Sequence, residues 1–111
     1  MKTIQFPSRF DQDVPLARVD HLAVQVTDIK QALAGLPKYA LVSESPTRAV
    51  VRFHNVDLVL LSPDAGYGTH VGFAKIPIPQ GVEKETKHHE SDNTVTVSYD
   101  AGGLRIESVF R

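Results

Sequence analysis

Polar and apolar residues alternate along residues 19–26. Leu22, Val24 and Val26 fall on one face of an extended segment, and His21, Ala23 and Gln25 fall on the other. The apolar face is expected to pack on a helix, and the mixed face to line a concave surface. A helix signal follows at once. Asp28 reads as an N-cap with Gln31 three residues on, resembling a capping box. Ile29, Ala32, Leu33 and Leu36 recur at helical spacing, and Gly35 and Pro37 punctuate the end. Residues 39–44, 48–54 and 56–61 then read as three strands, with a turn at Ser45-Pro46-Thr47 and another beginning at His54-Asn55. The first half therefore reads β-α-β-β-β.

Pro63, Gly66 and Gly68 mark residues 62–69 as a linker. Residues 70–76 form the next predicted strand, with His70, Gly72 and Ala74 on one face and Val71 and Phe73 on the other. The small residues beside His70 are expected to leave room for a ligand. Pro77, Pro79 and Gly81 break the pattern, and residues 82–93 are almost entirely polar. That stretch reads as a solvated helix or as a loop. Residues 94–99 alternate as a strand, Asp100-Ala101-Gly102-Gly103 is a turn, and residues 104–110 close the chain as a strand. On it Arg105, Glu107 and Val109 share a face opposite Leu104, Ile106 and Phe110. Residues 1–17 carry two prolines and little periodicity. They read as an N-terminal arm, with 3–6 as a candidate edge strand. The expected organisation is thus an arm, 1–17, and a single domain, 18–111, with module one at 18–62 and module two at 68–111.

The halves repeat one another. Val19-Asp20-His21-Leu22-Ala23-Val24 matches Gly68-Thr69-His70-Val71-Gly72-Phe73 in pattern, and each copy leads to a second apolar strand. His21 precedes Val59 by 38 positions and His70 precedes Glu107 by 37. If the copies fold alike, these four residues occupy equivalent places about a pseudo-twofold axis. Three of them can ligate a metal, and two histidines with one carboxylate form a recurrent site for a catalytic divalent ion. His21, His70 and Glu107 also each lie on the less apolar face of their strand, so one curved sheet can aim them at a common point.

Composition narrows the function classes. A chain of 111 residues is one domain by size, and a net charge of −1 gives no electrostatic signal for nucleic acid or an anionic membrane. There is no cysteine, which excludes disulfides, thiolate metal sites and a cysteine nucleophile. No apolar run is long enough to span a bilayer, and residues 1–7 hold no apolar core of signal-peptide length. The default expectation is a cytoplasmic protein with a small-molecule ligand. His88-His89-Glu90 lies in a charged run and reads as solvated rather than as a second metal site. His54 reads as a turn residue. Gln25, Arg105 and Tyr99 are the candidate substrate contacts. Arg105 suits an anionic group or a pairing with Glu107, whereas Tyr99 shares a face with Val95 and Val97 and is open to a packing role.

From Val19 to Arg111 the pattern resembles the vicinal oxygen chelate superfamily, which includes glyoxalase I, methylmalonyl-CoA epimerase, extradiol dioxygenases, fosfomycin-resistance proteins and bleomycin-binding proteins. Three pieces carry the resemblance: Asp20-His21-Leu22-Ala23-Val24 with its following helix, His70-Val71-Gly72-Phe73, and the closing run from Tyr99 through Asp100-Ala101-Gly102-Gly103 to Glu107. It implies an α+β fold of two βαβββ-type modules forming an open, eight-stranded barrel-like sheet, the helix of the second module being short or missing. It also implies a divalent metal (Fe, Mn or Zn) in the cleft, ligands at His21, His70 and Glu107, and a homodimer. At Val59, glyoxalase I and the epimerases use a carboxylate or amide, and valine cannot coordinate. Asp57, two residues earlier on the same face, would reach that place only with a register shift. The substitution favours the three-ligand arrangement of extradiol dioxygenases and fosfomycin-resistance enzymes.

Two function classes follow. The first is a metal-dependent enzyme of dioxygenase or lyase type, binding a small substrate through neighbouring oxygens. It lacks an acid/base partner that the sequence can place. The second is a non-catalytic binding protein of the bleomycin-resistance type, which Val59 and the shortened second module suit. A regulatory domain with a vestigial cleft is a third.

Overall fold

The computed structural model describes residues 16–90 and 92–111. The proposed edge strand at residues 3–6, and nearly all of the proposed arm, lie outside them. Eight strands and one helix follow in chain order: β1 (Val19–Gln25), α1 (Ile29–Gly35), β2 (Ala40–Glu44), β3 (Arg48–Arg52), β4 (Asp57–Leu61), β5 (His70–Ala74), β6 (Glu85–His89), β7 (Thr94–Ala101) and β8 (Leu104–Phe110). All eight strands join one sheet in the order β2-β3-β4-β1-β5-β8-β7-β6. The sheet is open, with β2 and β6 as its edges, and the fold is α+β.

The order is palindromic in modules. Strand β1 pairs parallel with β4, as β5 pairs parallel with β8, and the modules meet where β1 and β5 run antiparallel. At that seam His21 faces Gly72 and Ala23 faces His70, so the two histidines are related by the pseudo-twofold. Ala23 pairs with Val59 and Gly72 with Glu107, which makes Val59 the structural counterpart of Glu107.

Helix α1 begins as the sequence predicts, with Asp28 Oδ1 accepting from the Gln31 backbone N–H at 3.0 Å. Its Ile29 packs with Ala49 and Leu60 on the outer face of the sheet, joined by Val26, Ala32, Leu33, Leu36 and Leu58. The expectation that the whole apolar face of β1 lies under this helix fails for Leu22 and Val24, which stay 39% and 38% exposed. The helix has seven residues and packs on β4, too short to reach across β1.

No helix occurs in module two among the described residues. The chain after β5 instead returns along the outer face of β8. Lys75 N–H donates to Val109 O at 3.0 Å, and the fully buried Ser108 Oγ donates to Ile76 O at 2.9 Å. The polar stretch then forms β6, neither helix nor loop over Glu85–His89, paired in register with β7. The β7–β8 hairpin turns on Gly102 and Gly103, whose φ values of +58° and +87° suit glycine at both positions.

Candidate metal centre

The inner face of the sheet encloses a cavity of about 900 Å³. His21, His70 and Glu107 converge in it from β1, β5 and β8. One ligand atom from each lies within 4.8 Å of the others. His21 Nε2 is 3.2 Å from His70 Nε2 and 3.4 Å from Glu107 Oε1, and His70 Nε2 is 3.7 Å from Glu107 Oε2. An ion bound at ~2.0–2.2 Å by such donors separates them by roughly 3.0–3.4 Å, depending on whether they subtend octahedral or tetrahedral angles. The two nitrogens meet that requirement, and the two Glu107 oxygens lie 3.4 and 3.7 Å from them, one oxygen facing each ring.

The chemistry of the donors fits as well. The other nitrogen of each ring is already engaged. His21 Nδ1 lies 2.8 Å from Asp20 Oδ2, and His70 Nδ1 lies 2.9 Å from the Gly68 carbonyl oxygen. Both acceptors lack a proton to give, so each Nδ1 carries a hydrogen, and a ring without a second proton presents its Nε2 lone pair. Two such lone pairs repel at 3.2 Å. The arrangement is satisfied by an added proton held beside Glu107, or by a cation bonded to all three groups.

Local irregularities build this geometry. Neighbouring residues on a regular strand point to opposite faces, yet Asp20 and His21 both line the cavity. The register between β1 and β5 slips by one residue between Val19 and His21, and this bulge turns Asp20 inward. Arg111 Nη2 holds Asp20 from the far end of the chain, at 3.2 and 3.0 Å from its two oxygens. Burial opposes ionisation of Asp20, but the bonds from His21 and Arg111 and their charges outweigh it, so the carboxyl ionises below its usual 3.8. The room beside His70 that the sequence left to a ligand is taken by a protein group. A Cβ at Gly72 would overlap the His21 ring.

The remaining candidates separate. Val59 is 5% exposed and packs with Ala23 and Leu61, offering no ligand. Asp57 faces His21 across the β1–β4 pairing, but both its oxygens accept from Arg52, at 2.8 and 2.9 Å. Arg105 lines the cavity and donates from Nη2 to Ser98 Oγ at 3.0 Å. Tyr99, a candidate substrate contact, is 6% exposed and lies outside the cavity, because it alternates with the inward Ser98. Gln25 also lies outside it, its backbone N–H donating to Thr69 Oγ1 at 3.0 Å.

Several cavity residues escaped the sequence reading. His89, in the run that reads as solvated, is exposed and also lines the cavity, with its Nε2 3.2 Å from Thr96 Oγ1. Glu85 and Lys87 share that face of β6. Their spacing, 85, 87 and 89, was the available signal, masked by polar residues at every position between. Lys87 Nζ also sits 5.9 Å from the centre of the Tyr67 ring, bringing edge strand β6 against the linker and closing one side of the cavity.

No family model matches the sequence, and no curated protein matches it. Among solved structures, methylmalonyl-CoA epimerase from Mycobacterium tuberculosis superposes with a TM-score of 0.64 at 18% identity, over 83% of this chain and 86% of that one. A glyoxalase/bleomycin resistance protein/dioxygenase from Nocardioides matches at 15% identity over 90% and 88% of the two chains, with a TM-score of 0.38. The V. Cholerae integron cassette protein VCH_CASS1 matches at 18% identity over 86% and 96%, with a TM-score of 0.37. The latter two superpose too loosely to bear on the fold. The palindromic sheet and the superposition on the epimerase agree on one architecture: this chain has the fold of the vicinal oxygen chelate superfamily.

Proposed function

We propose that this protein is a metal-dependent enzyme that binds a small substrate through two neighbouring oxygens at a site formed by His21, His70 and Glu107. The observation that carries it is the pair of Nε2 atoms 3.2 Å apart, both with their Nδ1 partners already engaged. A divalent ion held there would supply Lewis acidity to both substrate oxygens. Asp20 and the Gly68 carbonyl fix the two ring tautomers, as groups behind metal-bound histidines commonly do. Three protein donors leave coordination positions open, as catalytic sites require. His89 lines the same cavity from β6, with Glu85 and Lys87, and is the candidate for proton transfer in dioxygenase- or lyase-like chemistry.

Val59 favours a second reading. A buried valine where its symmetry mate is a metal-binding candidate gives half of the cavity an apolar floor, which suits a protein that only sequesters its ligand.

Elemental analysis of untagged protein, purified without chelator and then loaded with Fe(II), Mn(II) or Zn(II), separates the two. The expected result is one equivalent of metal, lost in His70→Ala and in Glu107→Ala. No binding at any loading overturns the enzyme reading and leaves the sequestering one.

A further inference from the structure

The two halves of the cavity share one backbone plan but not one chemistry. Strand pairing equates Val59 with Glu107 and, one strand further out, Val50 with Ser98. The same registers equate Arg48 with Thr96. Module one therefore offers hydrocarbon at the middle of its wall, with Val50 and Val59 continuous with the buried Ala23 and Leu61. Module two offers hydroxyls, since Thr96 and Ser98 are buried on the cavity face, 7% and 8% exposed. Thr94 continues the row, its Oγ1 buried beside Asp92 without a hydrogen-bond partner in acceptable geometry.

An ion pair repeats between the modules with its signs exchanged. In module one β3 carries Arg52 and β4 carries Asp57, and in module two β7 carries Asp100 and β8 carries Arg105. The inner strand of module one thus turns a carboxylate toward the cavity, already engaged by both ends of Arg52. The inner strand of module two turns a guanidinium. Its hold on Asp100 is slack: the nearest approach is 3.3 Å, and Asp100 is 70% exposed, a setting in which ion pairs contribute little. The guanidinium keeps donors free for a ligand beyond those given to Ser98 and Asp100. Lys87 stands apart from this subsite, because β6 pairs Lys87 with Thr96 whereas β8 pairs Arg105 with Asp100, four residues further along β7.

Scale fixes where a bound group would lie. Arg105 and Glu107 share a strand face two residues apart, roughly 7 Å along the strand. A molecule a few bonds long can touch both ends of that span.

We propose that the ligand of this cavity is a small amphipathic anion, with a carboxylate or phosphate-type oxyanion held by Arg105 beside the Ser98 hydroxyl and a hydrocarbon part lying on Val50 and Val59. Only the placing of its chelating oxygens rests on the metal reading above. The oxyanion subsite is built by residues outside the three ligands and is testable without metal.

The test is a nitrogen-15 NMR titration of the metal-free full chain with phenylphosphonate and with its uncharged analogue benzyl alcohol. Phenylphosphonate is expected to bind about tenfold more tightly, the size of one charge-assisted contact. It should shift the Arg105 side-chain N–H and the amide of Ser98. Arg105→Gln should abolish the preference, and Arg105→Lys, which keeps the charge, should retain part of it with the fold intact. Equal affinities, no shift with either probe, or a preference that survives Arg105→Gln overturns the proposal. So does a phosphonate that maps to the outer basic residues Arg18 and Lys75. A parallel zinc titration keeps the two readings apart. Phosphonate preference without zinc binding sinks the metal reading alone, and zinc binding without the preference sinks this one alone.

Discussion

His21 reaches the centre of the cavity because residue 72 has no side chain. A methyl group on Gly72 would fall inside the imidazole. An imidazole can swing about its χ angles, so the clash is relieved by moving the ring and not by unfolding the sheet. Gly72→Ala is therefore expected to leave the circular dichroism spectrum unchanged while weakening zinc binding by about tenfold or more, since it displaces a ligand that Asp20 otherwise holds. Calorimetric titration measures it, and an unchanged affinity would show that Gly72 does not set the ring position. The inward turn of Asp20 is a departure from strand alternation. Alternation along a strand assigns Asp20 and His21 to opposite faces, and only the one-residue bulge against β5 brings them together. Nothing in the residues 18–21 announces that bulge.

At the scale of elements, the strands and helix whose apolar periodicity is complete were legible. The helix after Asp28, the strand ending at Leu61 and the closing strand at 104–110 all stand within a residue or two of their expected bounds. Strand β6 was not legible, because every one of its five residues is polar and exposed. An edge strand bordering a cavity open to solvent has no face that must be apolar, so periodicity carries no signal there. Helix α1 carries a prediction of its own. Leu60, 3% exposed, lies under α1, whereas Leu41 on edge strand β2 is 53% exposed. Leu60→Ala is expected to cost about 2–5 kcal/mol in urea denaturation, through lost burial and the cavity left behind. Leu41→Ala is expected to fall within about 0.5 kcal/mol of the parent. Similar costs for the two would mean that α1 does not seal the outer face as described.

For the whole molecule, the decisive feature is the seam at which the modules join. The three proposed metal ligands come from β1, β5 and β8, so an ion that they held in the folded chain alone would stabilise it. At a free zinc concentration a hundredfold above the dissociation constant, the expected gain is about 2.7 kcal/mol in the free energy of unfolding. His70→Ala should show none of it. A gain that persists in that variant would place the ion elsewhere. Acid should weaken the effect, because protons compete with the ion for the same nitrogens.

The repeat of the two histidines, the 38- and 37-residue spacings and the strand faces were enough to name His21, His70 and Glu107 together, because period-two alternation and an internal duplication are both local in the chain. Asp57 shows the boundary of such inference. Face and spacing leave it a ligand only after a register shift, and the observed pairing of Ala23 with Val59, together with Arg52 on both its oxygens, removes it. Tyr99 and Gln25 likewise turned on which way a strand faces once the sheet curls. The wall formed by Ser98, Thr96, Lys87 and His89 was invisible for the same reason. It consists of residues whose shared property is that the rolled sheet brings them to one cavity, and that proximity is created by pairing across strands rather than by anything adjacent along the chain.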